Sequence, residues 1–392
     1  MSLDPRLVER VRRRLATDSD EPDLRRLAAA LRAETLAPVG DEEVLRSLPE
    51  LQSELVGAGP LEVLLRDPRT TDVLVNGPDA VWVDRGDGLS RTAIAFDDEA
   101  ALRRLATRLA AAGGRRLDDA QPWADVRLPG GTRLHAVLPP IATHGPYLSL
   151  RVMRPKAFSL AELVQAGTVD AAGAAVLAAI VTARLAFLVT GGTGSGKTTL
   201  LASLLGCVPA DERIVLVEDS GELAPAHGHV VALEARTANV EGAGAVTMRD
   251  LVRQALRMRP DRLVVGEVRG AEVVDLLAAL NTGHDGGAGT VHANSARDVT
   301  ARLEALAALG GMGAQALHSQ LVAAVQCVVH LRRIGARRVV EEVSVLRRTA
   351  AGATLLPAWR PATSMPAGWV AEGGPVLRDL LAARGADPAI VP

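Results

Sequence analysis

The sequence predicts an α/β protein in which a mostly parallel, helix-wrapped sheet forms the C-terminal part and a mixed α/β domain precedes it. Three observations carry this. From residue 159 onward, continuous apolar runs alternate with helical periodicities, the order of a parallel sheet with crossover helices. A glycine-rich turn lies where one of those runs meets a helix, in the stretch LAFLVTGGTGSGKTT at 185–199. Between 59 and about 150 the runs are shorter, alternate apolar with polar residues, and are broken by turns, the pattern of half-exposed strands.

Taken in order, residues 1–58 read as a small helical module. The stretches 7–16, 22–37 and 41–57 carry apolar residues at three- and four-residue spacing with charges between them. Arg12, Arg13 and Arg14 fit the solvated face of the first helix better than an anion-contacting patch. Residues 59–153 follow as an α/β domain. Strands are expected at 70–77, 80–86 and 91–96, on both sides of a turn within 125–140, and at 147–153, with a helix at 98–113. Asn76-Gly77 and Gly130-Gly131 mark turns, and Arg127, Arg133 and Arg151 fall on strands, placed to project from one edge.

A linker is expected at 154–158, where Pro155 ends a strand, and Ser159 with Glu162 makes a capping box that starts the next helix. In the domain from 159 to 348, strands are expected at 185–190, 213–218, 262–267 and 289–293. Helices are expected at 197–206, 247–257 and 270–281, and on to about 325. Residues 349–392, rich in Pro, Gly and Ala, form a tail with no legible pattern.

The chemistry concentrates in the glycine-rich turn. Gly191, four residues, Gly196, Lys197 and Thr198 have the spacing of a phosphate-binding loop, and the loop sits between a strand and a helix as that chemistry requires. Glycines at 191, 192, 194 and 196 let the backbone of Gly191, Gly192, Thr193, Gly194, Ser195 and Gly196 turn its amides inward. The helix start at Lys197, Thr198 and Thr199 adds its unpaired amides and the positive end of its dipole. Lys197 is then the partner of the β- and γ-phosphates and Thr198 the Mg2+ ligand, which makes ATP and Mg2+ the expected ligands. Only two lysines occur in the chain, Lys156 and Lys197, every other basic residue being arginine, so a lysine here marks a place that a rigid guanidinium would not suit.

A nucleotide site also needs carboxylates, and two strand ends offer them. The run RIVLVEDSGEL leaves Glu218, Asp219 and Glu222 after buried apolar residues, with turn capping as the competing role for Glu218 and Asp219. The run RPDRLVVGEVRG ends in Gly266-Glu267, which makes Glu267 the candidate general base or water-orienting residue, against a plain ion pair with Arg269. His284 and His292 flank a glycine-rich loop and are candidates for sensing the γ-phosphate or for a contact across an interface. The spacings of a zinc site are absent.

Composition narrows the field. A chain of 392 residues with 48% hydrophobic content has room for two or three domains with real cores. A net charge of −2 and 2% aromatic residues argue against a channel that grips nucleic acid, which needs basic walls and stacking platforms. A RecA-fold ATPase that translocates nucleic acid is therefore the second reading, and a nucleotide-gated binding module without useful turnover the third. Cys207 and Cys327 are too few for a disulfide framework and read as buried small apolar residues. The N-terminus lacks the apolar core of a secretory signal. Thr182 and Arg184 interrupt the most apolar window, 171–190, so a buried helix and strand fit it better than a membrane span. A cytoplasmic protein, docked on the inner membrane through partners, is the expectation.

With these residues in hand the chain resembles the secretion-motor ATPase superfamily of type II and type IV secretion systems, over roughly residues 55–345, and most of all its CpaF/TadA branch, the ATPases of tight-adherence (Tad) pili. Four blocks carry the resemblance: GGTGSGKTTL, the acidic block VEDSGEL, the Walker B region LRMRPDRLVVGEVRG, and the histidine block TGHDGGAGTVHANS. DVRLPGGTRLHAVLPP adds a fifth in the N-terminal domain. The resemblance implies a RecA-like ATPase domain and a homo-oligomeric ring, usually a hexamer, that hydrolyses Mg-ATP and drives a membrane platform protein of a pilus, secretion or conjugation apparatus. It implies that Glu267 is the Walker B glutamate, Glu222 the acid of the acidic block and His292 the histidine of the histidine block. Arg127, Arg133 and Arg151 become candidates for phosphate contacts from the N-terminal lid or a neighbouring subunit. The tetracysteine zinc module of the type II and pilus-assembly motors is absent from the sequence, which points away from those branches.

Overall fold

The computed structural model describes residues 5–15, 24–35, 40–128, 130–153, 157–238, 242–335, 337–350, 352–362 and 371–391. The chain divides into two compact units, Met1–Arg154 and Pro155–Pro392. The expected strand break at Pro155 and the lysine at 156 lie outside the described residues.

The N-terminal unit begins with three helices, α1 (Pro5–Leu15), α2 (Leu24–Glu34) and α3 (Asp41–Leu55). Val8 and Val11, Leu27 and Leu31, and Val44, Leu48 and Leu51 recur at helical spacing, and they bury one another in a small core of their own. The short helix α4 (Glu62–Arg66) leads into a six-stranded sheet. Its strands are β1 (Asp72–Asn76), β2 (Val81–Asp84), β3 (Leu89–Arg91), β4 (Trp123–Arg127), β5 (Arg133–Val137) and β6 (Tyr147–Arg151), in the order β3-β2-β1-β6-β5-β4. Every neighbouring pair is antiparallel. Alternation buries one face: Val73, Val83, Val126, Leu134 and Leu150 pack with Leu102, Leu105 and Leu109 of α5 (Glu99–Ala112). Asp98 starts that helix by accepting from the Ala101 amide.

One expected strand is corrected. The stretch 91–96 alternates like a strand, yet the strand there is Leu89–Arg91. Arg91 pairs with Trp82, and β2 begins one residue earlier at Val81, so beyond the Thr92 amide, which donates to the Val81 carbonyl at 2.8 Å, the chain has no strand left beside it. Ile94 and Phe96 still pack half-buried on the core, which accounts for the alternation.

The C-terminal unit starts with α6 (Leu160–Gln165), where Ser159 and Glu162 form the capping box, and α7 (Ala171–Thr182). Then follow β7 (Phe187–Gly191), α8 (Lys197–Leu205), β8 (Ile214–Glu218), β9 (Val230–Glu234), α9 (Met248–Ala255), β10 (Arg262–Val268), α10 (Glu272–Leu280) and β11 (Ala288–His292). The unit continues through α11 (Val299–Leu309), α12 (Ala314–Ala324), β12 (Cys327–Ile334), β13 (Arg337–Thr349), β14 (Gly352–Trp359) and α13 (Gly374–Ala383). The eight strands run β14-β13-β12-β7-β11-β10-β8-β9. From β12 to β9 every pairing is parallel, and β12, β13 and β14 form antiparallel hairpins at the other edge.

All five residues of β7 and of β8 are buried, the signature of strands covered on both faces. One face packs on α7, α8 and α13 and the other on α9 to α12. Each fully buried Leu or Val in these two cores contributes about 1.5–3 kcal/mol of apolar transfer. The stretch after 349 extends the sheet: Trp359 of β14 is buried in the first core with Leu377 and Leu381 of α13. Cys327 is buried in β12, which pushes its thiol up to about 12, whereas Cys207 is only half-buried, a correction to its reading as a core residue. No helix among the described residues is long and apolar enough to cross a membrane.

Candidate functional site

Ligands of open parallel sheets gather at the C-terminal ends of the strands. Three of those ends, β7, β10 and β11, together with the turn after β8, bring the candidate residues of the C-terminal unit other than His284 into one place.

At the first, β7 ends in Gly191 and α8 begins at Lys197, with Gly196 as its N-cap at φ 93°, a left-handed conformation that suits glycine. Gly191 is required by space. A Cβ there would lie 2.5 Å from the Leu331 carbonyl oxygen and 2.6 Å from Ser195 Oγ. Thr193 and Gly194 are exposed in the loop, Gly192 is half-exposed, and Thr198 and Thr199 are half-buried in the first turn of α8. The Ser195 hydroxyl is buried with no hydrogen-bond partner among the described residues. A loop of glycine backbone, an orphaned hydroxyl and a helix N-terminus form a donor set that fits a phosphate group.

Lys197 is buried at the mouth of this loop. Its Nζ donates to the Gly191 carbonyl at 3.1 Å and to the Gly192 carbonyl at 3.0 Å, and lies 3.3 Å from Nε2 of His292. The two carbonyls take two of the three donors of the ammonium group. Burial holds the Lys197 pKa below its ordinary value, with the Glu267 carboxylate pulling the other way.

His292 closes β11, and its Nε2 lies 2.6 Å from Oε1 of Glu267. The same Nε2 faces both Lys197 and Glu267, and it can accept from the one or donate to the other but not both. Burial, and then the Lys197 charge, hold the His292 pKa below its ordinary value. Glu267 owes its position to an extra residue in β10: Val265 pairs with Gly289 but Val268 with Val291, a bulge that re-aims the strand end. The Thr290 hydroxyl donates to the Gly266 carbonyl at 2.7 Å across that bulge. The second Glu267 oxygen is held by Arg269, whose other arm reaches Asp219 at 3.1 Å. The ion pair with Arg269 is therefore real, and it leaves Glu267 with unused acceptor sites.

At the end of β8, Glu218 is buried and its Oε1 accepts from the amides of Glu222 and Leu223, both at 2.9 Å. Burial pushes its carboxyl up to about 7 against the pull of those two bonds. Glu222 is half-exposed, and its negative charge acts on both Lys197 and Arg269. His284 is not part of this cluster. Its Nδ1 contacts the Ala279 carbonyl at 3.1 Å, near the end of the preceding helix α10.

Arg127, Arg133 and Arg151 belong to the N-terminal unit. Arg127 pairs with Arg133 and Arg133 with Arg151, so the three form a row across β4, β5 and β6 on the face opposite the core. Asp125 lies 3.8 Å from Arg133.

Sequence reasoning missed three features around the loop. The Thr190 hydroxyl meets Nδ1 of the buried His330 at 2.9 Å, and Arg338 and Arg333 of the β12–β13 hairpin flank Gly194 and Gly196. These contacts join residues about 140 positions apart. The only sequence signal was the arginine cluster at 332–338.

Comparison with known proteins gives the family and the fold. A family model described as type II/IV secretion system protein matches residues 54–354. A Mycobacterium tuberculosis (strain H37Rv) protein whose name refers to conjugal transfer is 61% identical over 353 residues, covering 88% of this chain and 99% of that protein. Conjugal transfer protein TrbB of Rhizobium radiobacter is 33% identical over 307 residues, covering 76% of this chain and 91% of that protein. The crystal structure of the Legionella pneumophila ATPase DotB matches with a TM-score of 0.51 at 20% identity, over 74% of this chain and 80% of that one, a likeness of fold. These matches carry the superfamily and not its CpaF/TadA branch. The chain belongs to the type II/IV secretion system protein family.

Proposed function

We propose that this chain is a Mg-ATP-hydrolysing motor of a secretion or conjugation apparatus. The observation that carries the reading is the chain of contacts from the phosphate loop through Lys197 and His292 to Glu267. It ties a phosphate-binding lysine to a carboxylate suited to orienting water, within one cluster of strand ends.

In this reading the amides of 192–198 and the Lys197 ammonium take the β- and γ-phosphates of ATP. Thr198 is the protein's ligand for Mg2+, an ion that keeps several waters and shares substrate phosphates, and it would neutralise charge on the transferred phosphoryl group. Glu267 orients or deprotonates the attacking water through its open lone pairs, with His292 and Arg269 fixing the carboxylate. Thr193, Ser195 and Thr199 complete the binding loop, and Glu222 is a half-exposed acid whose charge acts on Lys197 and Arg269. Arg127, Arg133 and Arg151 are assigned to the charge of the transition state, from the same or a neighbouring subunit of a ring, a hexamer in the narrower form. The support is the row they form and the motif DVRLPGGTRLHAVLPP. Conjugation gains weight from the relatives' names. A Tad-like pilus, with an inner-membrane platform protein as partner and a site of action at the cytoplasmic face, is the narrower form that rests on the motif resemblance.

The test is Mg-ATP hydrolysis per subunit against protein concentration, with light-scattering mass on the same samples and Lys197→Ala as control. Turnover that rises as a hexamer-sized species appears supports a ring with shared sites. Turnover by a monomer at every concentration keeps the ATPase and removes the ring. Wild-type turnover in Lys197→Ala overturns the site.

A further inference from the structure

The phosphate loop does not stand alone at the end of β7. Leu331 of β12 pairs with Gly191, and beyond that pair the hairpin formed by β12 and β13 runs on alongside the loop. Nε of Arg338 donates to the Gly194 carbonyl at 3.1 Å, across 144 positions of sequence. Its aliphatic stem fills the space beside Gly196, where a Cβ would lie 3.1 Å from Arg338 Cδ. Arg333 stands next to it. Its Nε donates to the Gly335 carbonyl at 3.0 Å, and Nη1 comes within 3.5 Å of where a Gly194 Cβ would be.

In a trans peptide the carbonyl and the following amide point in opposite directions. A guanidinium that holds the Gly194 carbonyl outward therefore turns the Ser195 N–H toward the concave side of the loop. That amide indeed makes a long contact of 3.4 Å with the Gly192 carbonyl, the oxygen that also accepts from Lys197 Nζ. The Ser195 amide and the Lys197 ammonium thus converge on one point. Donation by a cation to the carbonyl also polarises the peptide and makes its amide the stronger donor.

We propose that Arg338 is a positioning residue of the phosphate loop: through the Gly194–Ser195 peptide it aims and strengthens an amide that binds the nucleotide's phosphates. The proposal rests on the phosphate-loop reading above and adds to it a second element, the hairpin, that sets affinity. Arg338 lies on the outer side of the loop and does not touch the reacting atoms in this role, so its removal acts on binding.

The experiment compares wild type, Arg338→Ala, Arg338→Lys, Arg332→Ala and Lys197→Ala by Mg-ADP titration calorimetry, steady-state ATP hydrolysis and thermal midpoint. Arg332 is the charge control, because it lies on the same hairpin but is paired with Glu341 at 3.1 Å. Arg338→Ala is expected to raise Kd and KM about fivefold to tenfold, the size of one ordinary hydrogen bond, because the arginine acts through the peptide and not on the phosphate itself, with kcat within about twofold. Arg338→Lys, which keeps a donor, should recover most of the affinity, and Arg332→Ala should match wild type. Three outcomes overturn the proposal: an Arg338→Ala Kd equal to wild type while Lys197→Ala loses binding, an equal loss in Arg332→Ala, or no recovery in Arg338→Lys. Should wild type bind no nucleotide, the phosphate-loop reading itself falls, and the inference with it.

Discussion

The two sheets carry their charged residues in opposite ways. In the eight-stranded sheet the central strands are buried over nearly all their length, and the candidate acids and histidine sit at their C-terminal ends: Glu218 closing β8, Glu267 in the bulge of β10, His292 at the close of β11. In the six-stranded sheet alternate residues face away from the core, so Arg127, Arg133 and Arg151 lie in a row across three strands. A strand end fixes one group tightly against its neighbours. A sheet face lays several like charges side by side, a surface suited to an extended anion. The first arrangement favours chemistry at a point and the second favours electrostatic stabilisation.

The sharpest test of that contrast is at the strand ends. Lys197→Ala removes the cation on which the loop converges, and turnover should fall by at least about 10³-fold with Mg-ATP affinity weakened; steady-state kinetics and calorimetry check both. Glu267→Gln keeps the size and one acceptor but loses the charge, so turnover should drop by about 10²-fold or more while ADP affinity stays within a few-fold. A pure binding switch would show no change of function in that variant.

The face should behave differently. Arg133→Ala is expected to lower kcat by about tenfold or more and to change KM less, since a transition-state contact contributes little to the ground state. An effect confined to KM would remove the row from catalysis and leave only the strand-end half of the comparison.

The smallest effect concerns a strand-end acid outside the reaction. The Glu218 carboxyl, at about 7 in the folded protein against 4.5 ordinarily, holds its proton more tightly folded than unfolded. The folded state therefore binds more protons between those values, and stability falls as pH rises through that window. At about 1.4 kcal/mol per pH unit the loss approaches about 3 kcal/mol by pH 8. Glu218→Gln, which keeps an acceptor for the amides of Glu222 and Leu223, should be more stable than wild type at pH 8 and lose that advantage at pH 4.5. Denaturant unfolding at the two pH values measures it, and an equal difference at both would assign the effect to packing.

Legibility followed the range of the interactions. Gly191 to Thr198, the capping box at Ser159 and Glu162 and the buried runs of β7, β8 and β10 were readable because each answers a local demand: a backbone turned inward around an anion, an unpaired helix amide, a strand with no wet face. The stretch 91–96 misled because alternation records burial on one side and is blind to whether a strand lies alongside. For Glu218 the sequence left turn capping as a competing role, and only the turn after β8 shows it as a buried cap with Glu222 half-exposed beside it.

The sequence by itself determined the fold class, the glycine-rich loop between β7 and α8 and the identity of the groups at the strand ends, because backbone conformation and burial periodicity are written in neighbouring residues. Tertiary structure alone decided that β12 lies beside β7, that His292 bridges Lys197 to Glu267, and that Arg338 reaches Gly194. Those contacts depend on strand order, and strand order is set by how whole faces pack together, a property that no short window of sequence contains.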